Sequence, residues 1–136
     1  MNLLIIGSGG REHAIAWKIS QSSKVKKIYV APGNPGIGLE EKVILIQIDN
    51  PTLKDYINIA KEKNIDLPVV GPEVPLVEGI VDEFKKNNLK IFGPNKTASQ
   101  LEGSKIFTKN LCKKYKIPTA AFGIFNNIDE AENFIK

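Results

Sequence analysis

A short apolar run near the start of the chain is followed at once by a glycine-rich turn. The run covers residues 3–6 (LLII), and residues 7–13 (GSGGREH) come directly after it. A buried strand that ends in small residues lets the backbone turn sharply and approach an anion, which the N–H groups of the next helix can bind. Arg11 adds a guanidinium group, which suits a phosphate better than a protein core. The glycine-rich turn by itself is equally typical of a tight turn without a ligand, and Arg11 favours an α/β domain with an anion-binding first turn.

This turn differs from the dinucleotide-binding fingerprint at two points. That fingerprint needs a third glycine for helix–sheet packing and an acidic residue at the end of the second strand. Here Glu12 stands at the third-glycine position, and the predicted strand over residues 28–30 runs into residues 31–34 (APGN) without a carboxylate. The sequence therefore disfavours a nicotinamide-dependent oxidoreductase.

Composition indicates a globular chain with an ordinary core. The 136 residues are 42% hydrophobic and 25% charged, and the one cysteine, Cys112, has no metal-ligand spacing around it. The net charge of +4 comes without a basic patch interleaved with aromatic residues. No apolar run approaches about 20 residues, and no signal-peptide pattern is present. We expect a cytoplasmic protein that binds neither nucleic acid nor membranes.

Strand-like runs alternate with helical patterns, which predicts a doubly wound parallel sheet. The predicted strands cover residues 3–6, 28–30, 43–46, 67–70 and 90–92. Pro68 lacks a backbone donor and is expected at a strand start or on an edge strand. The first predicted helix runs from residue 10 or 11 to residue 21. A second begins at an Asn50 cap with Pro51 at the first helical position, and a third carries the apolar stripe of residues 76–84.

The loops after the predicted strands should lie at one end of the sheet, where parallel α/β domains bind ligands. Residues 31–38 are rich in Gly and Pro and form either a plain connector or a ligand loop. Glu73 stands between Pro72 and Pro75, and this rigid frame favours a role in holding hydroxyl groups or an amine over a simple helix N-terminal charge. His13 is expected to be a packed or hydrogen-bonded residue and not an acid–base catalyst.

The organisation changes past residue 96. The pattern predicts a helix introduced by residues 101–105, then an extended run over residues 121–125 and a helix of about two turns from Asn127. We predict that residues 1–96 form the first domain and that residues 97–136 begin a second. The chain is expected to be truncated in that second domain and to be inactive alone.

Five motifs, taken together and in order, resemble the glycinamide ribonucleotide synthetases (phosphoribosylamine-glycine ligases) of the ATP-grasp superfamily. The motifs are residues 7–13, 31–34, 70–77, 91–94, and 101–105 with 117–120. This resemblance implies an N-terminal pre-ATP-grasp α/β domain followed by the start of an ATP-grasp domain. It also implies ADP-forming ligation of glycine to 5-phosphoribosylamine in purine biosynthesis, with ATP and Mg²⁺ or Mn²⁺, through a glycyl phosphate.

The resemblance further implies which residues bind the substrates. The turn that would bind the sugar phosphate comprises Gly9, Gly10, Arg11 and Glu12, with Asn34 and Pro35 on the neighbouring loop. Glu73 would contact the ribose or its amine, and Lys105 would contact an ATP phosphate. No residue is assigned to catalysis or to a metal, because the family's metal-binding carboxylates are expected beyond Lys136. Two alternatives stay open: a non-catalytic module for a phosphorylated metabolite, and the N-terminal domain of another ATP-grasp carboxylase or ligase. The oligomeric state is left open.

Overall fold

The computed structural model describes residues 1–136, which divide into two compact units, Met1–Ser99 and Gln100–Lys136. The strands of the first unit are β1 (Asn2–Gly7), β2 (Lys27–Pro32), β3 (Val43–Leu45) and β4 (Leu67–Val70). Its helices are α1 (Gly10–Ser20), α2 (Leu53–Glu62), α3 (Glu73–Glu78) and α4 (Ile80–Lys86), with a 3-10 turn at Ile37–Leu39. The chain continues through α5 (Lys96–Gly103) into the second unit, which contains α6 (Lys105–Tyr115) and α7 (Ile128–Ile135).

The four strands form one parallel sheet in the order β3-β2-β1-β4. The chain moves outward from β1 to β3 and then crosses to the other side of β1 to form β4. The strand order therefore reverses between β1 and β4, whose last paired residues are Ile6 and Val70. A reversal of this kind opens a crevice at the carboxyl ends of the two strands. The predicted doubly wound α/β fold is confirmed.

Alternate side chains of β1 enter two separate core clusters, because successive residues of a strand point to opposite faces of the sheet. Leu4 and Ile6 pack with residues of α2, α3 and α4. Leu3 and Ile5 pack on the other face, in the cluster that holds Ala16 of α1. All four β1 side chains are buried, so the sheet is covered by helices on both faces.

The apolar stripe of residues 76–84 is buried as predicted, but it does not lie on one continuous helix. Gly79 has a φ of +103° and separates α3 from α4. A left-handed residue ends a helix, and glycine adopts that conformation at little cost. The stripe still reaches the core, where Leu76, Ile80 and Phe84 are buried.

The second helix begins later than predicted. Asn50 has a φ of +46° and does not cap it; the N-cap is Thr52, and Pro51 precedes the helix. Thr52 Oγ1 accepts the Asp55 N–H at 3.4 Å, and Asp55 Oδ2 accepts the Thr52 N–H at 2.8 Å. This reciprocal capping box satisfies two backbone donors at once, which a single Asn cap cannot do.

The predicted strand over residues 90–92 is reduced to a single bridge between Val69 and Phe92. The Phe92 N–H donates to the Pro68 carbonyl at 2.8 Å, and the Val70 N–H donates to the Phe92 carbonyl at 3.3 Å. Pro68 has no backbone N–H, so one possible hydrogen bond between β4 and residues 90–92 cannot form. Pro68 lies on an outer strand of the four-stranded sheet, as predicted.

The second unit contains the two helices that the sequence predicts. Ser104 caps α6 by accepting the Phe107 N–H at 3.2 Å, and Asn127 caps α7 by accepting the Glu130 N–H at 2.8 Å. Residues 121–125 form no strand, and α5 was not predicted. The predicted boundary between residues 96 and 97 falls inside α5, and the assignment of two domains stays a prediction. None of the helices has the length and apolar character needed to cross a bilayer.

Candidate functional site

The opening turn links β1 to α1 at the carboxyl edge of the sheet. Gly7 ends β1 with a φ of +128°, a conformation that side-chain-bearing residues rarely adopt, and Gly9 is the N-cap of α1. The N–H groups of Gly10 and Arg11 belong to the first helical turn, which has no intrahelical acceptors for them. The turn therefore offers backbone donors and the positive end of a helix dipole to a ligand.

Glu12 lies beneath this turn and is 5% exposed. Its Oε2 accepts the Gly9 N–H at 2.7 Å. The same carboxylate packs against Gly7 and Gly71, at the ends of β1 and β4, where a Cβ atom on either glycine would overlap it. The Gly9 N–H is therefore already hydrogen-bonded to a buried side chain of the protein and is not available to a ligand.

Arg11 connects the opening turn to the loop after β4. Its Nη1 donates to the Gly71 carbonyl at 3.0 Å, and the side chain is otherwise exposed. A guanidinium group carries five N–H donors, so this bond leaves most of them available to a ligand. Arg11 is thus fixed at the point where the strand order reverses, with its positive charge facing solvent.

Glu73 stands across from the turn as the first residue of α3, directly after Pro72. Its side chain is exposed. The two loops enclose an open cleft of about 260 Å³, lined by Gly9, Gly10, Arg11, Glu12, Pro72 and Glu73. The structure therefore brings five of the predicted site residues together, whereas their binding roles stay predictions. Gly71 and Pro72 are not among the predicted site residues, although their loop is one of those expected at the ligand-binding end of the sheet because it follows a strand.

Asn34 and Pro35 line a separate cavity of about 230 Å³ at the ends of β2 and β3. The Asn34 amide donates to the Ser8 carbonyl at 2.7 Å and accepts the Ile37 N–H at 3.0 Å. Nδ2 therefore ties the loop to the opening turn, and Oδ1 holds the start of the 3-10 turn at Ile37. His13 makes a second tie, since its Nε2 lies 2.8 Å from Glu40 Oε1.

Lys105 belongs to the second unit, where it is the first residue of α6 and is exposed. Its contact with an ATP phosphate stays a prediction. No group of three or more His, Cys, Asp or Glu side chains comes together in the structure.

A parallel sheet with helices on both faces and a glycine-rich cleft at its strand-order reversal defines an α/β domain of the doubly wound class. Residues 1–102 match the family model described as phosphoribosylglycinamide synthetase, N domain. The chain belongs to this family. The resemblance found in the sequence is confirmed.

Known relatives agree with this assignment. The chain is 52% identical to a phosphoribosylamine–glycine ligase from Mesorhizobium japonicum, over 99% of this chain and 31% of that protein. The crystal structure of the phosphoribosylamine–glycine ligase from Thermotoga maritima matches with a TM-score of 0.69 and 29% identity, over 99% of this chain and 30% of that one. The chain thus spans about a third of the length of these relatives.

A more distant structure shares the fold alone. The biotin carboxylase domain of a thermophilic 2-oxoglutarate carboxylase matches with a TM-score of 0.65 at 13% identity, over 97% of this chain and 32% of that one. The architecture is therefore common to ligases and carboxylases, and the choice between them depends on the residues of the cleft and on the family match.

Proposed function

We propose that this chain is the N-terminal part of a cytoplasmic phosphoribosylamine–glycine ligase. The full-length protein joins glycine to 5-phosphoribosylamine with conversion of ATP to ADP, a step of purine biosynthesis. The family match and the relatives of this name support the proposal. On this proposal, the N-terminal unit holds the amine substrate.

The observation that carries the proposal is the cleft between the opening turn and Glu73. The free N–H groups of Gly10 and Arg11 and the remaining guanidinium donors suit an anionic sugar phosphate. The Glu73 carboxylate lines the same cleft from the loop after β4, and as a hydrogen-bond acceptor it suits the ribose hydroxyls or the amine. One wall of the cleft therefore presents donors and the other presents an acceptor, as an aminated sugar phosphate requires.

The neighbouring loop supports this arrangement without entering the cleft. Asn34 holds the Ser8 carbonyl at 2.7 Å and so fixes the start of the turn. Pro35 stiffens the same loop because its ring fixes its φ angle. We propose that these two residues contribute to the substrate site from beside the turn.

The second unit provides one proposed contact to the nucleotide. Lys105 is exposed at the first turn of α6 and is proposed to meet an ATP phosphate. ATP with Mg²⁺ or Mn²⁺ supplies the phosphoryl group that activates the glycine carboxylate for attack by the amine. This chain lacks a cluster of metal-ligating side chains, so we assign no metal ligand to its residues.

The test is Glu73→Gln in the full-length protein. Loss of the negative charge weakens the hydrogen bonds that Glu73 accepts, and we expect the KM for 5-phosphoribosylamine to rise about tenfold. Glu62→Gln is a matched control, because Glu62 is also exposed on a helix of the first unit but lies outside the cleft. An equal KM for the Glu73 variant and the wild-type protein would remove Glu73 from the substrate site.

A further inference from the structure

Glu12 is a buried carboxylate in a slot made by glycines. The slot is formed by Gly7 at the end of β1, Gly9 in the turn, and Gly71 after β4. A Cβ added at Gly7 would lie 2.7 Å from Glu12 Cδ, and one at Gly9 would lie 3.0 Å from Oε2. A Cβ at Gly71 would overlap Oε1. The glycines on both sides of the strand-order reversal thus leave room for this one side chain.

The carboxylate is engaged from inside the protein. Oε2 accepts the Gly9 N–H at 2.7 Å, and the residue is 5% exposed. A buried charge is costly unless hydrogen bonds satisfy it, so the bond from Gly9 also fixes where the carboxylate lies. Glu12 therefore holds the backbone of the turn in place from beneath.

The two walls of the cleft both depend on this contact. Gly9 precedes the free N–H groups of the first turn of α1, and Gly71 carries the carbonyl that receives Arg11 Nη1 at 3.0 Å. A shift of the Glu12 carboxylate would displace the Gly9 backbone, which is hydrogen-bonded to it, or remove the packing contact with Gly71. The spacing between the turn and the loop that leads to Glu73 is consequently expected to depend on this one buried side chain of the cleft wall.

We propose that Glu12 is a positioning residue of the substrate site, acting through Gly9 and Gly71 instead of through its own charge on the substrate. This inference rests on the proposed function. A positioning role requires the length and the acceptor oxygen of the side chain. A direct ionic contact with the substrate would require its negative charge.

The first experiment compares Glu12→Gln with Glu12→Ala in the full-length protein. Glutamine keeps the length and an acceptor oxygen, so it should raise the KM for 5-phosphoribosylamine by no more than about threefold, clearly less than alanine does. Alanine removes the acceptor and empties the slot, and the same KM should rise about tenfold or more, with the KM for ATP unchanged. Equal losses in both variants would overturn the proposal, as would a Glu12→Ala protein with a lower Tm and a wild-type KM.

The second experiment tests the slot itself with a double-mutant cycle. Gly71→Ala should lower the Tm of the wild-type protein, because the new Cβ overlaps Glu12. In the Glu12→Ala background the new Cβ has room, so Gly71→Ala should lower the Tm by less than half as much as it does in the wild-type protein. Such a difference is a strong non-additivity, as expected for two residues in contact. Additive losses would overturn the packing argument. If Glu12→Ala does not fold, Glu12→Asp replaces it in both experiments, since the shorter side chain withdraws the carboxylate from Gly9.

The Glu73 and Arg11 variants separate this proposal from the proposed function. A wild-type KM in Glu73→Gln and Arg11→Ala would overturn the substrate site as a whole. A raised KM in those two variants, together with a wild-type KM in Glu12→Ala, would overturn only the positioning role of Glu12.

Discussion

Replacement of Arg11 by alanine tests the opening turn most severely, because Arg11 is the one side-chain cation that lines the cleft. The change removes the 3.0 Å bond to the Gly71 carbonyl and every remaining guanidinium donor. Arg11 is exposed, so the bond to Gly71 is expected to contribute no more than a typical hydrogen bond, about 0.5–1.5 kcal/mol, to stability. A charge-assisted contact with a phosphate contributes more, about 1.5–3 kcal/mol. Binding should therefore suffer more than folding.

These energies translate into a KM for 5-phosphoribosylamine that rises about ten- to a hundredfold in the full-length Arg11→Ala protein. The assay is steady-state ADP formation at saturating ATP and glycine, with the Tm measured on the same samples. Arg11→Lys keeps the charge without the planar fork and should fall between the two proteins. Lys26→Ala, which removes an exposed cation of the same unit away from the cleft, should behave as wild type. A wild-type KM in Arg11→Ala would refute the assignment of this turn to the substrate site.

Two further predictions concern folding. The pKa of Asp55 is lowered, chiefly by the hydrogen bond from the Thr52 side chain. The capping box therefore stabilises α2 at neutral pH. This contribution to stability is lost as the pH falls through the lowered pKa, below about 4. Asp55→Asn should therefore make the Tm less dependent on pH between about 5 and 2, and parallel Tm curves for the two proteins would contradict this. A chain of residues 1–99 should unfold in one sigmoidal thermal transition, because both core clusters lie within it; a gradual loss of signal would show that later residues complete the core.

The fold could be predicted largely because its signals are local. The apolar run of residues 3–6, the glycines after it, and the helical stripe of residues 76–84 each identify an element from neighbouring residues alone. The break at Gly79 could not be predicted in the same way, since the apolar spacing continues through the glycine and only its φ of +103° separates the helices. The bridge at Phe92 likewise depends on Pro68, which is distant in sequence.

The cleft could be predicted in outline for a different reason. Parallel strands place their following loops at one edge, so residues 7–13 and the loop with Glu73 were expected to be close. The place of Glu12 could not be inferred, because the slot that receives it is completed by Gly71, which follows β4 and is remote in sequence. Asn34 was predicted beside the turn, and its hydrogen bonds to Ser8 and Ile37 depend on a loop conformation that composition does not define.

The most direct test of the account is the substrate dependence of ADP formation by the purified full-length protein. The account predicts ADP release that requires both glycine and 5-phosphoribosylamine, in the presence of Mg²⁺ or Mn²⁺. Bicarbonate, the substrate class of a carboxylase, is the informative replacement for glycine because the N-terminal domain of another ATP-grasp carboxylase is the alternative left open by the sequence. ADP release that proceeds with bicarbonate and without 5-phosphoribosylamine would contradict the proposed ligase activity.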